Sequence, residues 1–291
     1  MTDRAATVRR IIDWYAAHAR PLPWREPDAG AWGILVSEFM LQQTPVARVL
    51  PVWQAWLERW PTPGALAADP PAEAVRAWGR LGYPRRAQRL HAAATAIRDQ
   101  HGGLVPADHD ALLALPGVGA YTAAAVASFA HGRRHVVLDT NVRRVLARLE
   151  GGVAFPPASL NRAETLRAKA WLPEDPAQAA RWAAASMELG ALVCTADAPR
   201  CGDCPVTDAC AWVAAGAPAW TGPPRRGQTY AGTDRQCRGV LLDVLRRAEG
   251  AVPEPELLGA WQADTAQARR CLASLIRDGL VRRVGSGSFT L

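Results

Sequence analysis

Cys194, Cys201, Cys204 and Cys210 fall within seventeen residues, in the spacing C-x6-C-x2-C-x5-C. Four thiolates so close together suit a metal centre better than a disulfide framework. Zinc ribbons and fingers use two short knuckles separated by a longer insert, and here only Cys201 and Cys204 form a knuckle. A compact loop wrapping one [4Fe–4S] cubane, with all four cysteines as ligands, is the better fit, ahead of zinc or purely structural thiols.

Two carboxylates stand in settings that could make them reagents. The run Val137-Leu138-Asp139-Thr140-Asn141-Val142-Arg143-Arg144 is apolar until Asp139, where a helix begins. Asp139 therefore reads first as an N-cap. Capping would also fix the carboxylate and keep it ionised, as a catalytic anion requires. Glu38 lies in Ser37-Glu38-Phe39-Met40-Leu41-Gln42-Gln43-Thr44, on a helix with apolar flanks. A lone helical glutamate is ordinarily solvated surface. Enclosed by such flanks it holds its proton more readily and can serve as a general acid. A third element, Leu115-Pro116-Gly117-Val118-Gly119, joins two helical patterns. Its glycines permit a tight turn whose amides face a phosphate oxygen at the second helix's N-terminus, although a plain helix–helix turn would look the same.

These residues need a scaffold, and composition says which kind. The 291 residues are 49% apolar and 21% charged, with no apolar run long enough to span a bilayer. The amphipathic N-terminus lacks a cleavage site, and reduced thiolates point to the cytosol. The formal charge of +7 is nearly all arginine, since Lys169 is the only lysine. That pattern follows from a GC-rich genome or from phosphate binding, and charge alone does not decide between them.

Alanine-rich amphipathic segments recur at 4–19, 32–47, 51–60, 71–79, 84–101, 108–114, 120–131, 141–149, 159–171 and 176–192. They predict an all-α protein. The Pro/Gly-rich stretch 216–232 reads as a linker. Beyond it, helical patterns at 234–248, 254–261 and 264–278 precede two short strands around a Gly/Ser turn. This predicts a winged-helix-like α+β module over 233–291, of a kind that binds DNA or serves as a protein adaptor. Cys237 and Cys271, on its longer helices, read as buried free thiols.

Together the Leu-Pro-Gly-Val-Gly turn, the Val-Leu-Asp-Thr-Asn-Val-Arg-Arg run, the four-cysteine loop and the Ser-Glu-Phe-Met-Leu-Gln-Gln-Thr segment resemble the adenine DNA glycosylase (MutY) family. That family lies in the helix-hairpin-helix superfamily that includes endonuclease III. The resemblance covers roughly residues 5–215, with Leu22-Pro23-Trp24-Arg25, Leu81-Gly82-Tyr83 and Met187-Glu188-Leu189-Gly190 in support. It implies a two-lobed glycosylase core over 1–215, with a six-helix lobe at about 28–135 and a cluster lobe at about 1–27 plus 136–215. It implies a base-excision-repair enzyme that flips adenine out of A:8-oxoguanine or A:G mispairs in double-stranded DNA and hydrolyses its N-glycosidic bond. Glu38 would protonate the adenine and Asp139 would stabilise the sugar cation, with Tyr121 and Asn141 orienting them. Arg25 and Glu188 would line the base pocket. Gln42 would fill the gap in the stack, flanked by Gln43 and Tyr83, while Leu115, Gly117, Val118 and Gly119 hold the backbone. A monomeric, cytoplasmic, nucleoid-associated enzyme with no membrane contact is expected.

Branches of the superfamily differ at few positions. Lyase-type members carry a lysine where Tyr121 stands, so the resemblance implies a monofunctional enzyme. Thymine-mismatch glycosylases share Tyr and Asp but lack the acid at Glu38. An endonuclease III-like or thymine-mismatch activity, or a redox-sensing iron–sulfur DNA-binding regulator, are the alternatives. Only about sixty residues follow the linker, so the familiar Nudix-like domain that reads 8-oxoguanine is expected to be absent or replaced, and Pro84 stands where the family often has an aromatic. Weak discrimination between 8-oxoguanine and guanine is therefore expected.

Overall fold

The computed structural model describes residues 3–222 and 229–291. Part of the expected linker 216–232, namely 223–228, lies outside the described residues. Along the chain come helices α1 (Arg4–His18), α2 (Gly30–Leu41), α3 (Val46–Arg59), α4 (Pro63–Ala68), α5 (Pro71–Ala77) and α6 (Arg85–Gln100). They are followed by α7 (His109–Ala114), α8 (Ala120–His131), α9 (Thr140–Leu149), α10 (Arg162–Trp171), α11 (Pro176–Leu192) and α12 (Ala211–Ala214). The C-terminal part holds α13 (Asp234–Arg247), β1 (Val252–Pro253), α14 (Glu254–Gly259), α15 (Thr265–Arg277), β2 (Arg282–Val284) and β3 (Ser288–Thr290).

Local chemistry sets many of these boundaries. Asp3, Thr62, Asp139, Asn161, Asp175, Thr233 and Asp264 each accept a backbone N–H as N-caps. Asn161 and Glu164 complete a capping box. The expected helix over 32–47 instead ends at Leu41, and a new one begins at Val46. Pro45 disfavours helical backbone at Thr44, and Gln43 takes a left-handed φ of 54°. The short helix α4 and strand β1 were not legible as amphipathic patterns, because each is only a few residues long.

The described residues within Met1–Ile34, Ala107–Ala114 and Val118–Pro224 form one compact unit. Its core joins Val8 and Ile11 of α1, Val142, Val145 and Leu149 of α9, Trp171 of α10, and Trp182 and Leu189 of α11. Trp171 and Trp182 stack at 5.9 Å between centroids. A second cluster sets Ala124 and Ala125 of α8 against Val137 and Ala183, with Tyr121 and Met187 packed on it.

The described residues within Leu35–Pro106, Leu115–Gly117 and Arg225–Leu291 form the second unit. Trp56 packs edge-on against both Trp60 and Trp78, and α6 lies against α4 and α5. In the C-terminal part, three helices carry an antiparallel sheet of order β1-β3-β2, with Phe289 opposite Val252 and Arg283. Leu241, Leu245, Leu257, Leu275 and Phe289 are buried there. Cys237 and Cys271 are also buried, and both are free thiols.

Candidate active site

In the first unit the Asp139 carboxylate is held at both oxygens. Oδ1 accepts the Val142 N–H at 2.7 Å, and Oδ2 accepts from Asn141 Nδ2 at 2.7 Å. It is the N-cap expected from the sequence. The second expectation concerned its charge, on which burial and hydrogen bonding act in opposite directions. Burial pushes the Asp139 pKa up, and the Val142 and Asn141 hydrogen bonds and nearby Arg144 only oppose that shift. Asn141 cannot turn freely, because its Oδ1 accepts from Arg144 Nη2 at 2.9 Å. Arg144 also donates to the Gly190 carbonyl at 2.6 Å and to the Cys194 carbonyl at 2.8 Å. A continuous chain of hydrogen bonds thus runs from Asp139 to the first cysteine of the loop. Gly190 permits this, since a Cβ there would sit 2.7 Å from the Asn141 Cβ.

The four cysteines expected to bind a cluster line one cavity, together with Arg148, Val193, Thr207, Trp212 and Val213. Among the described residues, no group of three or more Cys, His, Asp or Glu side chains is arranged to hold a single metal ion. Burial and the neighbouring cysteines push Cys204 up to about 11. Arg148 donates to Cys194 Sγ at 3.4 Å and to the carbonyls of Thr195 and Ala196. Its guanidinium lies over the Trp212 ring at 4.8 Å. Four soft sulfur donors around one cavity, beside a buried cation, fit an iron–sulfur cluster carrying net negative charge. Arg144 and Arg148 were missed in the sequence. Their signal is that Arg144 and Arg148, four apart, fall on the same helical face as the apolar Val145 and Leu149 of α9.

Glu188 is wholly buried and receives both guanidinium groups of Arg20 and Arg25, at 2.7 and 2.8 Å. Despite burial, those donors hold its carboxyl at about 2. Arg25 also lies over the Tyr15 ring at 5.4 Å. The resemblance placed Arg25 and Glu188 in one pocket, but neither their ion pair nor Arg20 was read from the sequence. Tyr121 stands in the first turn of α8, after Val118 and the N-cap Gly119.

In the second unit Glu38 is 7% exposed, among the buried Leu35, Val36, Phe39 and Met40. It belongs to the other unit from Asp139. Gln42 and Gln43 follow the end of α2, and Tyr83, 44% exposed, has a left-handed φ of 48°. The buried Arg86, which the sequence did not single out, joins the two turns. It donates to the carbonyls of Phe39, Met40 and Gln42 on one side and of Gly82 on the other. Its guanidinium lies 5.5 Å from the Tyr83 ring centroid. With no carboxylate to offset burial, its pKa falls to about 10. Gly117, after Leu115 and Pro116, has φ +80°, and a Cβ there would meet the Arg89 Cβ at 2.6 Å.

Comparison with known proteins gives the arrangement its context. Residues 36–168 match the HhH-GPD superfamily of base excision DNA repair proteins. The chain is 55% identical over 284 residues to an adenine DNA glycosylase of Mycobacterium tuberculosis, covering 97% of this chain and 92% of that protein. It is 39% identical to the human adenine DNA glycosylase over 69% of this chain and 38% of the human one. A solved thermostable thymine-DNA glycosylase superposes with a TM-score of 0.64 at 26% identity, over 73% of this chain and 97% of that one.

Proposed function

The chain belongs to the adenine DNA glycosylases of the HhH-GPD base-excision-repair superfamily, and on that premise we propose that it hydrolyses the N-glycosidic bond of adenine mispaired with 8-oxoguanine or guanine in double-stranded DNA, leaving the strand intact. The substrate is reached by extruding the adenine nucleotide from the stack. Cleavage passes through an oxocarbenium-like sugar, so the leaving base needs a proton and the sugar needs an anion.

Glu38 supplies the proton, at adenine N7, and then helps to activate water. Its burial on α2 supports that role. Asp139 faces the anomeric carbon as an electrostatic or transient covalent partner. The observation that carries the reading is the setting of this carboxylate, buried yet fixed by the Val142 amide and the Asn141 side chain. An anion held where burial disfavours its charge is relieved as a cation develops beside it. Tyr121 and Asn141 orient the two carboxylates. Tyr121 offers a phenol where an amine would be needed for a Schiff base. Arg25 and Glu188 shape the base pocket. Gln42, with Gln43 and Tyr83, enters the gap in the stack, and Leu115, Gly117, Val118 and Gly119 hold the backbone. Cys194, Cys201, Cys204 and Cys210 would hold a [4Fe–4S] cluster, whose contribution is to clamp the loop. The enzyme acts as a monomer on nucleoid DNA in the cytoplasm.

The test is incubation with duplexes carrying adenine opposite 8-oxoguanine, guanine and thymine. Free adenine should be released, and the strand should break only after alkali. Breakage without alkali, or release of thymine from a G:T duplex, would replace this reading with a lyase or a thymine-specific one. Single-turnover rates opposite 8-oxoguanine and guanine should be similar, and a preference of several hundredfold would overturn the expected weak discrimination.

A further inference from the structure

The C-terminal module is joined to the helices of its own unit at two places. Arg76 of α5 and Arg246 of α13 exchange hydrogen bonds with each other's helix ends. Farther along, Gln88 of α6 donates to the Gly279 carbonyl at 2.7 Å, and Arg85 pairs with Asp278 at 3.4 Å. The turn that follows α15 is therefore fixed against the start of α6, two residues beyond Tyr83.

That attachment places a cationic surface in register with the hairpin turn. Residues 265–284 hold five arginines and one carboxylate, Asp278. Asp278 is already paired with Arg238 at 2.6 Å as well as with Arg85. Arg277, Arg282 and Arg283 are exposed and make no ion pair with any described carboxylate. On α6, Arg85 and Arg89 are exposed one helical turn apart. The stem of Arg89 crosses Gly117, where even a Cβ would collide with it. The Gly117–Arg89, Gln88–Gly279 and Arg85–Asp278 contacts thus tie the hairpin glycine, α6 and the turn after α15 together, with Arg277 before that turn and Arg282 and Arg283, on opposite faces of β2, after it.

Arg283 lies over the Phe289 ring at 5.3 Å, and exposed arginines without carboxylate partners gathered around one turn are an electrostatic footprint for a polyphosphate. We propose that the C-terminal module extends the DNA-binding surface of this enzyme, with Arg277, Arg282 and Arg283 contacting backbone phosphates of the duplex flanking the mispair. This rests on the glycosylase reading above and adds a site in the module to it. The contacts are to phosphate and so are independent of base sequence.

The experiment uses the full chain carrying Arg277→Ala, Arg282→Ala and Arg283→Ala together, beside a second variant with lysine at the same three positions. Equilibrium binding to an undamaged duplex is measured between about 50 and 200 mM salt. Loss of three phosphate contacts should weaken binding at least tenfold at the lower salt and reduce the log–log salt slope by about 2–3. The lysine variant should restore the slope, because it restores the charges. Trimming the duplex on the flank that the module grips should erase the difference between the alanine variant and the unaltered chain. An unchanged slope, as expected if the face were a protein adaptor, overturns the proposal. A loss that lysine does not restore also overturns it, by showing a structural role. Adenine excision by the unaltered chain reports separately on the function itself, so either reading can fail without the other.

Discussion

Arg76 and Arg246 cap one another's helices. Arg76, on α5, donates to the carbonyls of Leu245, Arg246 and Ala248 at the C-terminal end of α13. Arg246, on α13, donates through Nε to the Val75 carbonyl in the last turn of α5, at 3.1 Å. Each cation meets the negative end of the other's helix dipole and satisfies carbonyls that a helix end leaves open. The Arg246 pKa falls to about 10 because burial outweighs the attraction of Asp243. Replacing Arg76 with alanine should cost about 1.5–3 kcal/mol, as for hydrogen bonds from a charged donor. Amide hydrogen exchange should then quicken in the last turn of α13, while α9 and α11 keep their protection.

Glu188 predicts an acid sensitivity. Its folded pKa of about 2 lies well below the ordinary glutamate value of 4.5. A depressed carboxylate contributes stability that is present above the unfolded value and is lost as pH falls toward the folded one. The loss should run from about pH 5 down to pH 2 and amount to roughly 3 kcal/mol. In Glu188→Gln that slope of Tm against pH should flatten. The same variant should be destabilised at pH 7 by about 3–5 kcal/mol, because Arg20 and Arg25 then face each other with no anion between them.

Asp139 has the opposite sign. Its pKa is raised by burial, so the folded protein is favoured by protonation there, and this residue's contribution weakens as pH rises through the unfolded value toward the folded one. Asparagine is as good an N-cap as aspartate. Asp139→Asn should therefore remain folded and bind duplex, while single-turnover excision falls by about 10²–10⁴-fold. Glu38→Gln should show a similar loss with binding retained. A redox-sensing regulator would be indifferent to either change.

Gly190 is a packing requirement of the Asp139 chain. An alanine Cβ at this position would lie 2.7 Å from the Asn141 Cβ and 3.0 Å from its carbonyl oxygen. The backbone must shift, because part of the obstacle is main chain. Gly190→Ala should destabilise by about 1–3 kcal/mol. It should also lower the excision rate, as Asn141 is moved from Asp139. Excision at the unaltered rate would show that Asn141 plays no orienting part.

Arg86 supports two turns with one guanidinium. In Arg86→Ala the carbonyls of Phe39, Met40, Gln42 and Gly82 lose a shared donor. Gln43 and Tyr83 would be free to leave their left-handed conformations, which cost free energy to hold. Binding to a mispaired duplex should weaken more than binding to an undamaged one, because the affected turns are the ones proposed to enter the stack. Parallel titrations of the two duplexes measure this.

The sequence alone determined what local chemistry determines. Amphipathic spacing marked α8 and α11 at their observed limits, and a short carboxylate side chain closing an apolar run marked the cap at Asp139. The four-cysteine spacing marked the loop before any coordinate was known. Tertiary structure decided everything that depends on which distant groups meet. It joined Glu188 to Arg20 as well as Arg25, brought Arg144 and Arg148 of α9 to the cysteine loop, and set Arg86 against the carbonyls at the end of α2. It also buried the capping Asp139 carboxylate, so that burial opposes the ionisation its hydrogen bonds favour. Burial and hydrogen-bond partners arise from packing between segments far apart in the chain. A one-dimensional pattern carries periodicity and propensity but holds no record of those encounters.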